Sequence, residues 1–190
     1  MPKTVVTRSR AAALPPEERR AAIIDAARPL LIEHGENVTT RQLADAAGIA
    51  EGTIFRVFAD KDELLSATLE AILDPTEFEL ALEAVDDALP FEEQLVEAAT
   101  MVHRRIADVW EVVARLGPAL RQQARRPMSD SEALIALFAR HADRISVEPK
   151  TAARVLRALT LSATHPMLTP EPMTPAQVVD VVLHGIGVHG

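Results

Sequence analysis

Apolar residues recur along this chain at helical spacing, and the alternation expected of strands is absent. The pattern predicts helix throughout, an all-α fold. The first run, Ile23, Ala26, Ala27, Leu30 and Leu31, opens after Pro15-Pro16 and Glu17-Glu18 and closes at His34-Gly35. Proline at a helix start loses no hydrogen bond, and acids in the first turn meet the positive end of the helix dipole. Gly35 is placed to take a left-handed cap. Pro29 interrupts the hydrogen bonding of this helix and predicts a kink.

Two short helices follow at 39–47 and 50–58, joined at Gly48-Ile49. Asp60 with Glu63 has the D-x-x-E spacing of a helix cap, and a helix is expected from there to about Leu73. Asp74-Pro75 punctuates the chain, and 75–89 is open between helix and loop. Further helices are expected near 90–114, 118–125, 130–145, 149–164 and 174–186, about nine in all. Their separators are Pro90, Gly117-Pro118, 127–130, Glu148-Pro149 and the proline-rich run 166–175. The expected organisation is a basic arm over 1–16, a three-helix domain over 17–60 and a helical body over 61–190.

Charge changes this picture only once it is divided along the chain. The net charge of -8 argues against a nucleic-acid partner. Residues 1–61, however, hold nine basic and eight acidic side chains, so the acid is concentrated in the remainder. The arm carries Lys3, Arg8 and Arg10 and no acid. A near-neutral head can approach phosphates while an acidic body discourages non-specific adhesion. With no cysteine, disulfides and thiolate chemistry are excluded. No signal-type stretch and no membrane-length apolar run is present, which leads to the expectation of a cytoplasmic protein with no membrane partner.

The segment from Thr39 reads Thr-Thr-Arg-Gln-Leu-Ala-Asp-Ala-Ala-Gly-Ile-Ala-Glu-Gly-Thr-Ile-Phe-Arg-Val-Phe. Thr39 with Gln42 has the spacing of a capping box. Leu43, Ala46 and Ala47 form an apolar face, and Ala44 is small where a crossing helix comes close. Gly48 supplies a positive φ for a sharp turn. Ile49 plugs the corner, and Ile54 and Phe58 return to the core. Ala50, Glu51, Thr53 and Arg56 are left facing outward, as on a helix that enters the major groove of DNA. The bland alternative is an ordinary helical hairpin.

At this point the sequence resembles the TetR/AcrR family of transcriptional regulators. The resemblance runs from about Glu17 to Leu73. It rests on the His-Gly helix end, the Thr-Thr-Arg-Gln-Leu-Ala-Asp-Ala-Ala-Gly stretch, Gly52-Thr53-Ile54-Phe55 before Phe58, and Lys61-Asp62-Glu63-Leu64-Leu65. It implies that Thr39, Thr40 and Arg41, then Ala50, Glu51, Gly52, Thr53, Phe55 and Arg56, and finally Lys61, form the surface that binds double-stranded DNA. Arg41 is equally open to a guanine edge and to a phosphate. The family commonly carries Tyr where this chain has Phe55, and His or Tyr where it has Val57. Neither replacement can hydrogen-bond a phosphate. More of the binding then falls to Thr40, Arg41, Arg56, Lys61 and the arm around Arg8 and Arg10.

In the body, Met101, Val102, Ile106, Val109, Trp110 and Val113 recur at helical spacing, as do Leu134, Leu137, Phe138, His141 and Ile145. These positions are either plain core or the lining of a cavity between helices. The resemblance implies a small-molecule effector, and Met101, His103, Trp110 and Phe138 are the expected pocket residues, in a largely aliphatic cavity. The last helix is nearly continuously apolar, so it is expected to be buried on more than one side. The resemblance implies a homodimer packed through the last two helices, with Val155, Leu159, Val178 and Val182 at the interface. A two-fold dimer presents two recognition helices to a pseudo-palindromic operator.

None of the six histidines falls in an H-x-x-x-H or H-E-x-x-H pair, so no metal is assigned. No cofactor motif and no catalytic nucleophile motif is found, and the reading is not of an enzyme. The leading reading is a ligand-responsive regulator, a repressor by family precedent. Its rivals are a constitutive DNA-binding regulator without effector and a helical enzyme or small-molecule carrier.

Overall fold

The computed structural model describes residues 15–125, 129–164 and 168–186. The arm with Lys3, Arg8 and Arg10 lies outside the described residues. Among the described residues the chain forms ten α-helices and two short 3-10 turns, with no strand. It divides into two compact units, Met1–Ala71 and Ile72–Gly190. The first therefore extends past the punctuation at Asp60, because the opening turns of the fourth helix belong to it.

In the first unit, α1 spans Pro16–His34, with Glu17 and Glu18 in its first turn. It runs through Pro29 without interruption. Pro29 and Asp25 are both exposed, so the carbonyl that proline leaves unpaired faces water rather than the core. Gly35 has φ 58° and ψ -140°, a glycine conformation but not the left-handed helical cap expected of it. It opens a 3-10 turn, Gly35–Asn37, instead. α2 (Thr40–Ala46) and α3 (Glu51–Ile54) follow. α4 spans Lys61–Leu73, and its Leu64, Leu65 and Leu69 are buried.

α3 is half the expected length. After Ile54 the backbone tightens, with Arg56 N–H donating to Thr53 O and Val57 N–H to Ile54 O. The tightening lets Phe58 follow Ile54 into the interior, where both are buried. Asp60 does cap α4, its Oδ1 accepting from Glu63 N–H at 2.8 Å. The Glu63 carboxylate reaches back one residue further than a regular capping box and accepts from Ala59 N–H at 2.6 Å.

The second unit contains α5 (Thr76–Glu83), α6 (Phe91–Arg115), α7 (Pro118–Ala124), α8 (Glu132–Arg140), α9 (Pro149–Thr164) and α10 (Pro175–Ile186). The open segment 75–89 thus contributes a helix. Asp74 Oδ1 accepts from both Thr76 N–H and Thr76 Oγ1 and fixes the start of α5. α6 buries Phe91, Leu95, Ala98, Ala99, Val102 and Ile106 along one stripe, against α9 and α10. Phe138 of α8 meets Phe91 edge-on, with ring centres 6.1 Å apart. Thr160 and Thr164 are buried, and each hydroxyl donates to the carbonyl four residues back.

α10 is not buried all round. Val178 and Val182 are 0 % and 1 % exposed, whereas Val181 is 46 % exposed. Asp180 and His184 share its outward side. The valines suggest a uniformly apolar rod, but Asp180 and His184 supply the polar positions that make it amphipathic.

Candidate DNA-binding surface

The surface is built on the α2–α3 corner. Thr39 is the N-cap of α2, its Oγ1 accepting from Gln42 N–H at 3.2 Å while Gln42 Oε1 accepts from Thr39 N–H at 2.8 Å. The capping box read from the sequence is present. It also occupies Thr39, whose hydroxyl hydrogen goes to Gln42 Oε1 at 2.7 Å. Leu43 and Ala44 are buried at the crossing with α1 and α3. Ala46, expected on that face, is exposed.

Gly48 has φ +66°, and a Cβ built there would meet nothing within 4 Å. The requirement for glycine is therefore conformational, not spatial. Ile49 N–H donates to Ala44 O at 3.0 Å and closes the corner. α3 starts at once, with Ala50 as N-cap and Thr53 N–H donating to Ala50 O at 2.8 Å.

With Ile54 and Phe58 inward, Ala50, Glu51, Gly52, Phe55 and Arg56 are all exposed, and Thr53 is half-buried. Thr53 thus stands at the edge of the expected outward face. Phe55, placed on the surface by the resemblance, presents 49 % of its area to solvent. Arg56 makes no ion pair with another described residue. At the start of α2, Thr40 is half-buried, and the Arg41 side chain is 86 % exposed with only a 3.9 Å approach to Asp45. Such a contact in water holds the guanidinium weakly, leaving it available to a polyanion.

Lys61 differs from its expected role. Its Nζ donates to Glu36 O at 2.9 Å and to Val38 O at 3.3 Å. Two of its three hydrogens tie the start of α4 to the strap leading into α2, so one remains for a phosphate. Nothing local in the sequence marks this tie, because the partners are 25 and 23 positions away. Arg20 is a second positioning residue that sequence reasoning missed. Its guanidinium lies 4.6 Å from the Phe58 ring centre, across a long sequence separation.

The residues nominated for an effector pocket are not brought together. Phe138 is fully buried against Phe91, at the start of α6. Trp110 is 43 % exposed near its other end. A rise of about 1.5 Å per residue separates Phe91 and Trp110 by roughly 28 Å along the helix. Met101 packs against the core, and His103 is half-buried. A depression of about 630 Å³ lies at the start of α6 instead, lined by Leu89, Pro90, Glu92, Glu93, Val96 and Glu97. Of the nominated interface residues, Val178 and Val182 are sealed within the core and cannot meet a second chain. Val155 is exposed and Leu159 half-buried.

Among the described residues a capped helix, a positive-φ glycine corner and a second helix with an exposed outer face form a helix-turn-helix. The family model described as bacterial regulatory proteins, tetR family, matches residues 23–68, which contain that corner. The HTH-type transcriptional regulator HbdR of Aromatoleum sp. is 45 % identical over 65 residues, covering 34 % of this chain. The match spans 28 % of the length of that relative. The likeness to the tetR family of bacterial regulatory proteins thus covers the first domain. Solved structures extend the likeness in fold. A putative TetR-family regulator from Mesorhizobium loti is 18 % identical with a TM-score of 0.62, over 93 % of this chain and 100 % of that one. SmeT, the repressor of the Stenotrophomonas maltophilia multidrug efflux pump SmeDEF, is 24 % identical with a TM-score of 0.57, over 90 % and 91 %.

Proposed function

We propose that this protein represses transcription by binding, as a homodimer, a pseudo-palindromic operator through the α2–α3 corner. The observation that carries the reading is the composition of the outward face. Arg41 and Arg56 are exposed, without strong ion pairs, on the two sides of a corner that the Thr39–Gln42 cap and the buried Leu43, Ala44 and Ile54 hold in place. Arg41, Arg56 and the last free hydrogen of Lys61 neutralise phosphates, while Ala50, Glu51, Gly52 and Phe55 face the groove. Thr40 sits at the phosphate edge of α2. The protein acts in the cytoplasm, where its DNA is.

The dimer forms through the outward sides of α9 and α10, where Val155 and Val181 are exposed. Repression is relieved by a small, largely apolar effector bound in the body. The likeness to SmeT, of which a complex with triclosan is solved, supports this part of the reading. A second reading, constitutive binding without effector, is favoured by the complete burial of Phe138 in packed core.

Nuclease footprinting of the full chain on its own upstream region tests the proposal. Protection of two half-sites about one helical turn apart is expected. Uniform or absent protection would reject it.

A further inference from the structure

We propose that Phe55 determines specificity by reading the C5 methyl group of a thymine in the major groove. The inference rests on the DNA-binding reading above and names the base chemistry that the same surface recognises. Phe55 directly follows α3, and half of its ring is in solvent, whereas Ile54 and Phe58 on either side of it are sealed in the core. Leaving a phenyl ring in water forgoes the burial that ordinarily stabilises it.

The neighbours of the ring suit a base edge. Glu51, Gly52 and Arg56 share its outward face. Gly52, three residues earlier, has no side chain, and a Cβ there would meet nothing within 4 Å. The surface at Gly52 is therefore open, with no side chain to hold a base edge away from the backbone. Arg56, the next residue, supplies charge for the phosphates and so fixes the register of the ring in the groove. A phenyl ring has no hydrogen-bond donor or acceptor, so it can read neither phosphate nor the polar atoms of a base. The one apolar group displayed in the major groove is the thymine methyl.

The test selects duplexes from a random-sequence library with the full chain, then replaces each thymine of the selected duplex by deoxyuridine, which removes only the methyl. One thymine in each half-site is expected to be sensitive, with replacement weakening binding about fourfold per half-site. Phe55→Ala is expected to abolish that sensitivity, and Phe55→Tyr, which keeps the ring, to preserve it. Because the ring is exposed, neither variant is expected to lose the fold. Specific binding by the natural protein without deoxyuridine sensitivity would overturn the methyl reading and leave the DNA-binding reading intact. Equal sensitivity in Phe55→Ala would do the same. A library that enriches no sequence would overturn both.

Discussion

Arg20 of α1 holds its guanidinium carbon 4.6 Å from the centre of the Phe58 ring and its Nη2 3.4 Å from Glu63 Oε1. Glu63 in turn accepts from Ala59 N–H, so one arginine ties together the exit of α3 and the start of α4. The ion pair is partly exposed and contributes little by itself, and the stacking over Phe58 contributes more. Arg20→Ala is expected to destabilise the first unit by about 1 kcal/mol, read as a lower urea midpoint. An unchanged midpoint would show that the stack is incidental.

Lys61 and Gly48 position the corner from two other sides. Lys61→Met removes the charge-assisted bonds to Glu36 O and Val38 O, and a loss of about 1–2 kcal/mol is expected. If Lys61 acted only on phosphate, stability would hold and the salt dependence of DNA binding would fall instead.

Gly48→Ala meets no atom but forces an L-residue to a φ of +66°, which is expected to cost about 1–2 kcal/mol. Gly52→Ala, also in open space but within α3, is expected to leave stability equal or higher, by up to about 1 kcal/mol. Thermal melting of the pair separates strain from packing, since a packing origin would predict similar losses at both.

The exposed valines and the sealed ones of the last two helices make opposite predictions. Val155→Glu combined with Val181→Glu is expected to yield a folded monomer in light scattering, with DNA affinity greatly reduced. Val182→Glu places a charge in the core and is expected to unfold the body. A double variant that remains dimeric would move the interface elsewhere.

Asp130 receives Arg154 Nε at 2.7 Å and Lys150 Nζ at 2.9 Å. Hydrogen bonds from Arg154 and then Lys150 hold its carboxyl well below the usual aspartate range. A depressed value in the folded state means the stabilisation is fully present above the unfolded value, about 3.9, and is lost as pH falls through the folded value. Asp130→Asn is therefore expected to lower the melting temperature at neutral pH by an amount that stays constant through mild acid. The gap narrows only below the unfolded value. A gap that narrowed near neutrality would assign it to another group.

Much of the first unit was legible in the sequence because its signals are local. Thr39 and Gln42 lie one turn apart, and Gly48 is the residue type that adopts the positive φ of that corner without strain. The features that escaped are those between distant residues: Arg20 on Phe58, Lys61 on Glu36, and the length of α3, which tertiary burial of Phe58 cuts short. In the body, periodicity located the helices but not the facing of α10. Four valines and Leu183 suggested burial on more than one side, and the exposed side of Val181, Asp180 and His184 became visible only in three dimensions. The nominated pocket failed for a related reason. Met101, His103 and Trp110 lie along the long helix α6, and Phe138 of α8 packs at its start against Phe91, far along the helix from Trp110.

In the proposed complex the α2–α3 corner docks on duplex DNA with Arg41 and Arg56 on phosphates. Its most direct test is titration of the full chain onto its own upstream duplex and a scrambled duplex at several salt concentrations. Preference for the upstream duplex and affinity that falls steeply with salt are expected, with Arg56→Ala reducing the log–log slope by about one per bound arginine. Equal affinity for both duplexes, or an Arg56→Ala slope identical to that of the natural protein, would contradict it.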